Sequence, residues 1–128
     1  QSGYNGLCLE LNFPCLSIPA LIDSGAQVSL LSEQTAKCLG HSFNVPAKNP
    51  LGSSVTLADG SQSSILGRVK QEFKIGDTIF SHLFLVSKLS CSAILGFDFL
   101  EENCGIMNVK EGTLKLNGDI FECVFENT

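Results

Sequence analysis

What this chain has little of narrows its roles first. Lysine and arginine number only eight against thirteen acidic residues, a net charge of −5 at pH 7. Phosphate binding relies on clustered Lys and Arg; here they are scattered, so no nucleic-acid partner is expected. Apolar stretches such as Leu83-Phe84-Leu85-Val86 fall far short of the roughly 20 residues that span a bilayer, and no membrane partner is expected. No secretory leader is visible, and there is no repeat, linker or low-complexity segment. Cys-x-x-Cys pairs are also missing. The six cysteines (Cys8, Cys15, Cys38, Cys91, Cys104, Cys123) stand apart from His41 and His82 in sequence. An even number suggests disulfide staples in a small secreted domain. Most of these cysteines, however, lie among apolar residues that read as core positions, so reduced thiols packed as small hydrophobes, in an intracellular setting, are the reading adopted. Neither a metal nor a cofactor is expected. At 128 residues the chain reads as a single domain, 1–128, too short for two complete lobes of about 150 residues or more in total.

Against these absences stands Ala20-Leu21-Ile22-Asp23-Ser24-Gly25-Ala26. A small-apolar run of this kind enters a core as a strand, so its terminal carboxylate is carried into a desolvated setting where an isolated anion is unstable. Ser24 adds a hydroxyl, and Gly25 permits a sharp turn and close backbone approach. Asp-Ser-Gly is also an ordinary turn tripeptide whose Asp caps its own loop. Asp77-Thr78, flanked by Gly76 and Ile79, lacks both the apolar lead and the trailing Gly and reads as a hairpin turn. One chain thus offers a single acid of the Asp23 kind.

The remaining pattern is mainly β. Leu7, Leu9, Leu11 and Phe13 alternate with Cys8, Glu10 and Asn12, the two-residue period of a strand with one buried face. A second strand from Leu16 to Ile22 delivers Asp23. Ser32 is placed to cap a short helix over Glu33 to Leu39 that Gly40 terminates. The stretch His41 to Gly52, with Pro46 and Pro50, reads as loop or edge strand. Val55-Thr56-Leu57 and Ser63 to Lys70 form a hairpin around Ala58 to Ser61. Gln71 to Ile75 and Ile79 to Val86 form another. Phe97 to Asn103 reads as a short helix. Ile106 to Val109, Leu114 to Leu116 and Ile120 to Phe125 are strands separated by turns at Glu111-Gly112 and Asn117-Gly118. His82 is read as a strand residue rather than a catalytic base.

Three segments together, the acid loop at Asp23-Ser24-Gly25, the Val55-Thr56-Leu57-Ala58-Asp59-Gly60-Ser61 hairpin and Ala93-Ile94-Leu95-Gly96-Phe97-Asp98-Phe99-Leu100, resemble retropepsin-like aspartic proteases. The closest pattern is that of long-terminal-repeat (gypsy-type) retrotransposons, where Ile-Leu-Gly-x-Asp-Phe-Leu recurs and Asp-Gly marks the flap. The resemblance covers nearly the whole chain. It implies a closed β barrel with a flap hairpin and one or two short helices, active as a homodimer. Asp23 would then be the catalytic acid, one per protomer, and Ser24, Gly25 and Ala26 its supporting loop. Gln27, Leu57, Ala58, Asp59, Gly60, Ser61 and Ile94 would contact a peptide or polyprotein substrate. Gln27 stands where retroviral enzymes commonly carry a second Asp, so their subsite details do not transfer. Asp-Ser-Gly-Ala-Gln also resembles the protease domains of ubiquitin-shuttle proteins induced by DNA damage. A retrotransposon polyprotein-processing protease, located in the cytoplasm or in transposon-encoded particles, is the leading expectation. A domesticated cellular protease, a catalytically silent dimeric binding module of the same fold and an unrelated β protein remain as alternatives.

Overall fold

A computed structural model describes residues 4–42, 54–56, 60 and 62–127. Its strands are β1 (Tyr4–Asn12), β2 (Ser17–Ile22), β3 (Leu30–Ser32), β4 (Ser54–Thr56), β5 (Gln62–Ile75), β6 (Thr78–Ser87), β7 (Ala93–Leu95), β8 (Ile106–Asn108), β9 (Thr113–Leu116), β10 (Asp119–Glu122) and β11 (Val124–Asn127). Two helices of six residues each, α1 (Glu33–Cys38) and α2 (Phe97–Glu102), complete it.

The opening hairpin forms as its alternation requires: β1 and β2 pair antiparallel, Cys8 opposite Leu21 and Asn12 opposite Ser17. Leu7, Leu9 and Leu11 enter the core and Glu10 faces solvent, while Cys8 is buried on the other face. From there the order runs β2-β7-β3-β6-β5, and β5 returns to β1 through Asn12 opposite Lys74. That last pairing closes the sheet into a barrel and leaves its inner strands without free edges. Strand β11 adds to the outer edge of β1 and β4 to the end of β5. A separate meander, β8-β9-β10, turns between its last two strands at Asn117-Gly118. Both residues have positive φ, 51° and 91°, the conformation of a two-residue I′ turn.

Phe73, 2% exposed, is the hub of the core. Its ring lies 5.9 Å from Phe13, 6.0 Å from Phe80, 5.8 Å from Phe84 and 6.0 Å from Phe99. Strand β6, helix α2 and the segment just after β1 therefore meet on one side chain of β5. Helix α1 begins as its residues dictate: the Ser32 hydroxyl accepts the Thr35 N–H at 3.0 Å, and Gly40, at φ 98°, supplies the left-handed exit.

Three sequence expectations are corrected. Ser63 to Lys70 and Gln71 to Ile75 are not separate strands but one strand, β5, with a register shift between Ile65 and Gly67 where it passes from pairing β4 to spanning the barrel. Ile120 to Phe125 breaks at Cys123, whose N–H donates to the Gly112 carbonyl at 2.8 Å; β10 stays in the meander while β11 crosses to β1. Of the six cysteines, most of them read as core positions, Cys8 alone is fully buried. Cys15, Cys38 and Cys104 are exposed and Cys91 and Cys123 intermediate, because apolar neighbours in sequence do not fix which side of a turn faces water.

Phe73→Ala should lower stability by about 3–5 kcal/mol, the usual loss for truncating a buried aromatic ring, measured by urea denaturation. A loss under about 1 kcal/mol would remove Phe73 from the centre of the core.

Candidate functional site

Strand β2 ends by handing its pairing to the acid loop. The register Ala20–Ala93, Leu21–Ile94, Ile22–Leu95 is parallel, and the Asp23 N–H continues it by donating to the Leu95 carbonyl at 3.0 Å. The loop then folds on its own acid: Gly25 N–H donates to Asp23 Oδ1 at 3.0 Å, and Ala26 N–H to the Asp23 carbonyl at 3.1 Å. This is the Asx turn that Asp-Ser-Gly favours. Within one chain Asp23 is half-buried and Ser24, Gly25 and Gln27 are exposed. The desolvation expected for Asp23 is thus incomplete in the protomer, because the loop emerges from the barrel wall instead of ending inside it.

Behind the loop the chain comes unusually close to itself. A Cβ on Gly96 would lie 2.5 Å from the Val28 carbonyl oxygen and 2.7 Å from that of Ala26, so only glycine fits. This approach lets the first amides of α2 take the loop carbonyls: Phe97 N–H donates to Ala26 O at 2.7 Å and Asp98 N–H to Gln27 O at 3.3 Å. Two sets of groups that would otherwise lack partners, a helix start and an irregular loop, satisfy each other.

Ser29, fully buried, ties the same elements again. Its hydroxyl donates to Asp98 Oδ1 at 2.7 Å and accepts the Gly96 N–H at 2.9 Å; its N–H donates to Asp98 Oδ2 at 3.2 Å. Its carbonyl accepts the Leu85 N–H at 3.1 Å. Asp98 also accepts the Phe99 N–H at 2.7 Å and meets His82 Nε2 at 3.0 Å. Burial by itself would raise the Asp98 pKa. The Ser29 hydroxyl, the His82 ring, the Ser29 amide and the charge of His82 outweigh it and hold Asp98 below its ordinary value.

Of the residues proposed from sequence, Asp23, Ser24, Gly25, Ala26 and Gln27 form one loop. Ile94, 8% exposed, lies on β7 opposite Leu21, on the face away from Ala93 and Leu95. Gly60 has φ 89° with open space around it. Leu57, Ala58, Asp59 and Ser61 lie outside the described residues. The Ser29–Asp98–His82–Glu102 network was not anticipated. Its sequence signal is the i, i+4 pair Asp98 and Glu102, which puts two carboxylates on one face of α2. His82 meets them through opposite ring nitrogens, so the three do not converge on one point. Among the described residues no group of His, Cys, Asp or Glu could hold a metal ion, and no helix is long and apolar enough to cross a membrane.

A closed barrel with an Asp-Ser-Gly loop at a strand end, backed by a strand, a glycine and a short helix, is the architecture of retropepsin-like acid proteases. The chain belongs to the family described as gag-polyprotein putative aspartyl protease, whose profile matches residues 14–102. Its fold is similar to the retroviral protease-like domain of Ddi1 from Leishmania major, with TM-score 0.72 and 18% identity over 94% of each chain. It is also similar to a retropepsin-like aspartic protease from Rickettsia conorii, with TM-score 0.54 and 16% identity over 91% of this chain and 82% of that one.

Two outcomes check this geometry. Gly96→Ala should cost about 1–3 kcal/mol, as overpacking does when backbone has to move, and unchanged urea stability would show that the loop yields freely. The lowered Asp98 pKa contributes stability that is present above the unfolded carboxylate value of about 3.9 and is lost as pH falls through the folded value. Asp98→Asn should therefore be less stable than the parent at pH 7, with the gap narrowing at pH 3. A gap independent of pH would contradict the assignment.

Proposed function

We propose that this chain is an aspartic endopeptidase that works as a homodimer, with Asp23 of each protomer forming the catalytic pair on the two-fold axis. The observation that carries this is the single Asp-Ser-Gly loop, rigidly backed yet half-exposed at the barrel surface. One carboxylate is half of what this chemistry needs, and a second copy supplies the other half together with the missing burial.

Two carboxylates held together in a partly desolvated site repel too strongly to ionise at once, so they share one proton, and the apparent constants belong to the pair. The ionised member takes a proton from water as that water attacks the scissile carbonyl carbon. The protonated member hydrogen-bonds the carbonyl oxygen, giving a tetrahedral intermediate with no acyl-enzyme. Collapse of the intermediate, with a proton delivered to the amide nitrogen, breaks the C–N bond. No cofactor enters the scheme. Ser24 and Gly25 shape the loop and carry no proton.

The substrate is a peptide segment held as an added strand, its alternate side chains entering apolar pockets, with Gln27 and Ile94 on the groove side. The hairpin of β4 and β5 serves as the flap. A retrotransposon polyprotein, processed in the cytoplasm or in transposon particles, is the substrate favoured by the gag-polyprotein family match. The fold similarity to the Ddi1 domain is equally compatible with a cellular enzyme.

Asp23→Asn should lower peptide hydrolysis by about 10²–10⁴-fold or more, the contribution of positioned acid–base groups, while the fold and the dimer persist. Near-normal turnover by the purified variant would sink the assignment. Specific activity of the parent should fall on dilution towards the monomer, and excess Asp23→Asn should poison it through mixed dimers. Constant specific activity where sedimentation finds only monomer would contradict a shared site.

The flap is tested separately. Gly60→Val forces a branched side chain into a left-handed conformation, so kcat/KM on a long peptide should drop while the melting temperature moves little. Equal efficiency in variant and parent would make the hairpin mere scaffold.

A further inference from the structure

The side chain of His82 is 7% exposed and lies between two carboxylates of α2, with Nε2 3.0 Å from Asp98 Oδ2 and Nδ1 3.1 Å from Glu102 Oε1. Its ring is packed edgewise by Phe84 at 5.5 Å and Phe99 at 5.3 Å, with interplanar angles of 84° and 89°. A neutral imidazole has one N–H and donates to one partner; the imidazolium has two. Both partners here are carboxylates, which as anions only accept. Only the charged ring satisfies both contacts as they stand.

This places a titratable joint directly behind the acid loop. His82 on β6 grips Asp98; Asp98 receives both the hydroxyl and the N–H of Ser29; the Ser29 hydroxyl holds the Gly96 amide; and the Phe97 and Asp98 amides donate to the loop carbonyls of Ala26 and Gln27. We infer that His82 is a positioning residue that, as the imidazolium, clamps α2 to β6 and so fixes the loop that presents Asp23. Loss of its proton frees one end of the clamp.

Among the described contacts the charged groups meeting the ring are Asp98 and Glu102 of α2; the aromatic neighbours from β6 and α2 bring none, and on β5 the residue opposite is the uncharged Gln71, whose side chain meets the titratable His41 at 3.1 Å. The two contacts are unequal. The side chain of Glu102 is 63% exposed and that of Asp98 32% exposed, so water readily replaces His82 at Glu102. Asp98 and its Ser29 partner have less access to such compensation, so the neutral ring keeps its one N–H on Asp98 and gives up Glu102, leaving α2 held to β6 at one point instead of two. The clamp needs both ring N–H groups, so it is complete when the ring is protonated and weakens when that proton leaves.

That Asp23 is the catalytic acid rests on the function proposed above; the clamp itself is tested without activity. Amide exchange of residues 23–29, corrected for the intrinsic pH dependence, is measured by mass spectrometry from pH 4 to 9. The His82 ring is followed by NMR in the same samples, for the parent, His82→Gln and His82→Phe. Exchange in the loop should rise several-fold in the parent at the midpoint where the His82 ring loses its proton. His82→Gln, which keeps a donor for Asp98 but cannot titrate, should show no such step, and His82→Phe should exchange fast at every pH. On a peptide substrate His82→Phe should lower kcat more than it changes KM, with partial rescue in His82→Gln.

A loop whose exchange shows no step at the ring's midpoint overturns the inference. So does a step that survives in His82→Gln, or a ring that does not titrate between pH 4 and 9. A parent with the exchange step but no peptidase activity would leave the clamp standing and refute the catalytic reading instead. Should His82→Phe fail to fold, the comparison of parent with His82→Gln decides alone.

Discussion

The close approach of the acid loop to Gly96 is the constraint from which the rest of the site follows. Carbonyl oxygens of Ala26 and Val28 occupy the space a side chain would need at position 96. That contact brings α2 near enough for its first amides to donate to the loop carbonyls, the Phe97 nitrogen lying 2.7 Å from Ala26 O. Without it, the helix start and the loop carbonyls would each have to seek water, and a loop solvated in that way has many conformations. With it, Asp23 leaves the barrel wall in one direction. The parallel pairing of β2 with β7 sets the height of the loop, and the glycine sets its depth.

Two acids illustrate how environment divides labour. Asp98 accepts hydrogen bonds from the Ser29 hydroxyl and amide and from the Phe99 amide, and it faces His82. It is held as an anion by partners that fix its geometry. Asp23 accepts the Gly25 amide at one oxygen and stands half-exposed. A carboxylate whose oxygens are fully engaged cannot readily take up and release a proton within a reaction, whereas one left accessible on a rigid support can. Among the described residues no buried side-chain nitrogen or oxygen lacks a partner, which keeps the polar layer behind the loop from competing for alternative arrangements.

Much of this was legible in local sequence. Leu7, Leu9 and Leu11 with Glu10 gave the opening strand its inward and outward faces, Ser32 and Gly40 bracketed α1, and Asn117-Gly118 marked the meander turn. Each depends on residues within a few positions of one another. What escaped depends on long-range contact. Strand β5 runs through Leu66 and Gly67 because β6 accompanies it on the far side of the register shift, and nothing near Lys70 and Gln71 announces that continuity. Barrel closure rests on Asn12 meeting Lys74. Cys15, Cys38 and Cys104 are exposed despite apolar neighbours, since turns and a helix end carry them outward. His82 read correctly as a strand residue, yet its role as a bridge between two carboxylates appears only once α2 lies across β6.

The proposed chemistry requires one catalytic centre built from two chains. Titration of the protein with a tight-binding peptide carrying a hydroxyl in place of the scissile carbonyl tests this directly, because such a compound mimics the tetrahedral intermediate and binds where the two carboxylates face each other. With concentrations set well above the dissociation constant, calorimetry should give one molecule bound for every two chains, and Asp23→Asn should lose most of the affinity. One molecule bound per chain, or affinity indifferent to Asp23, would contradict a shared Asp23 pair.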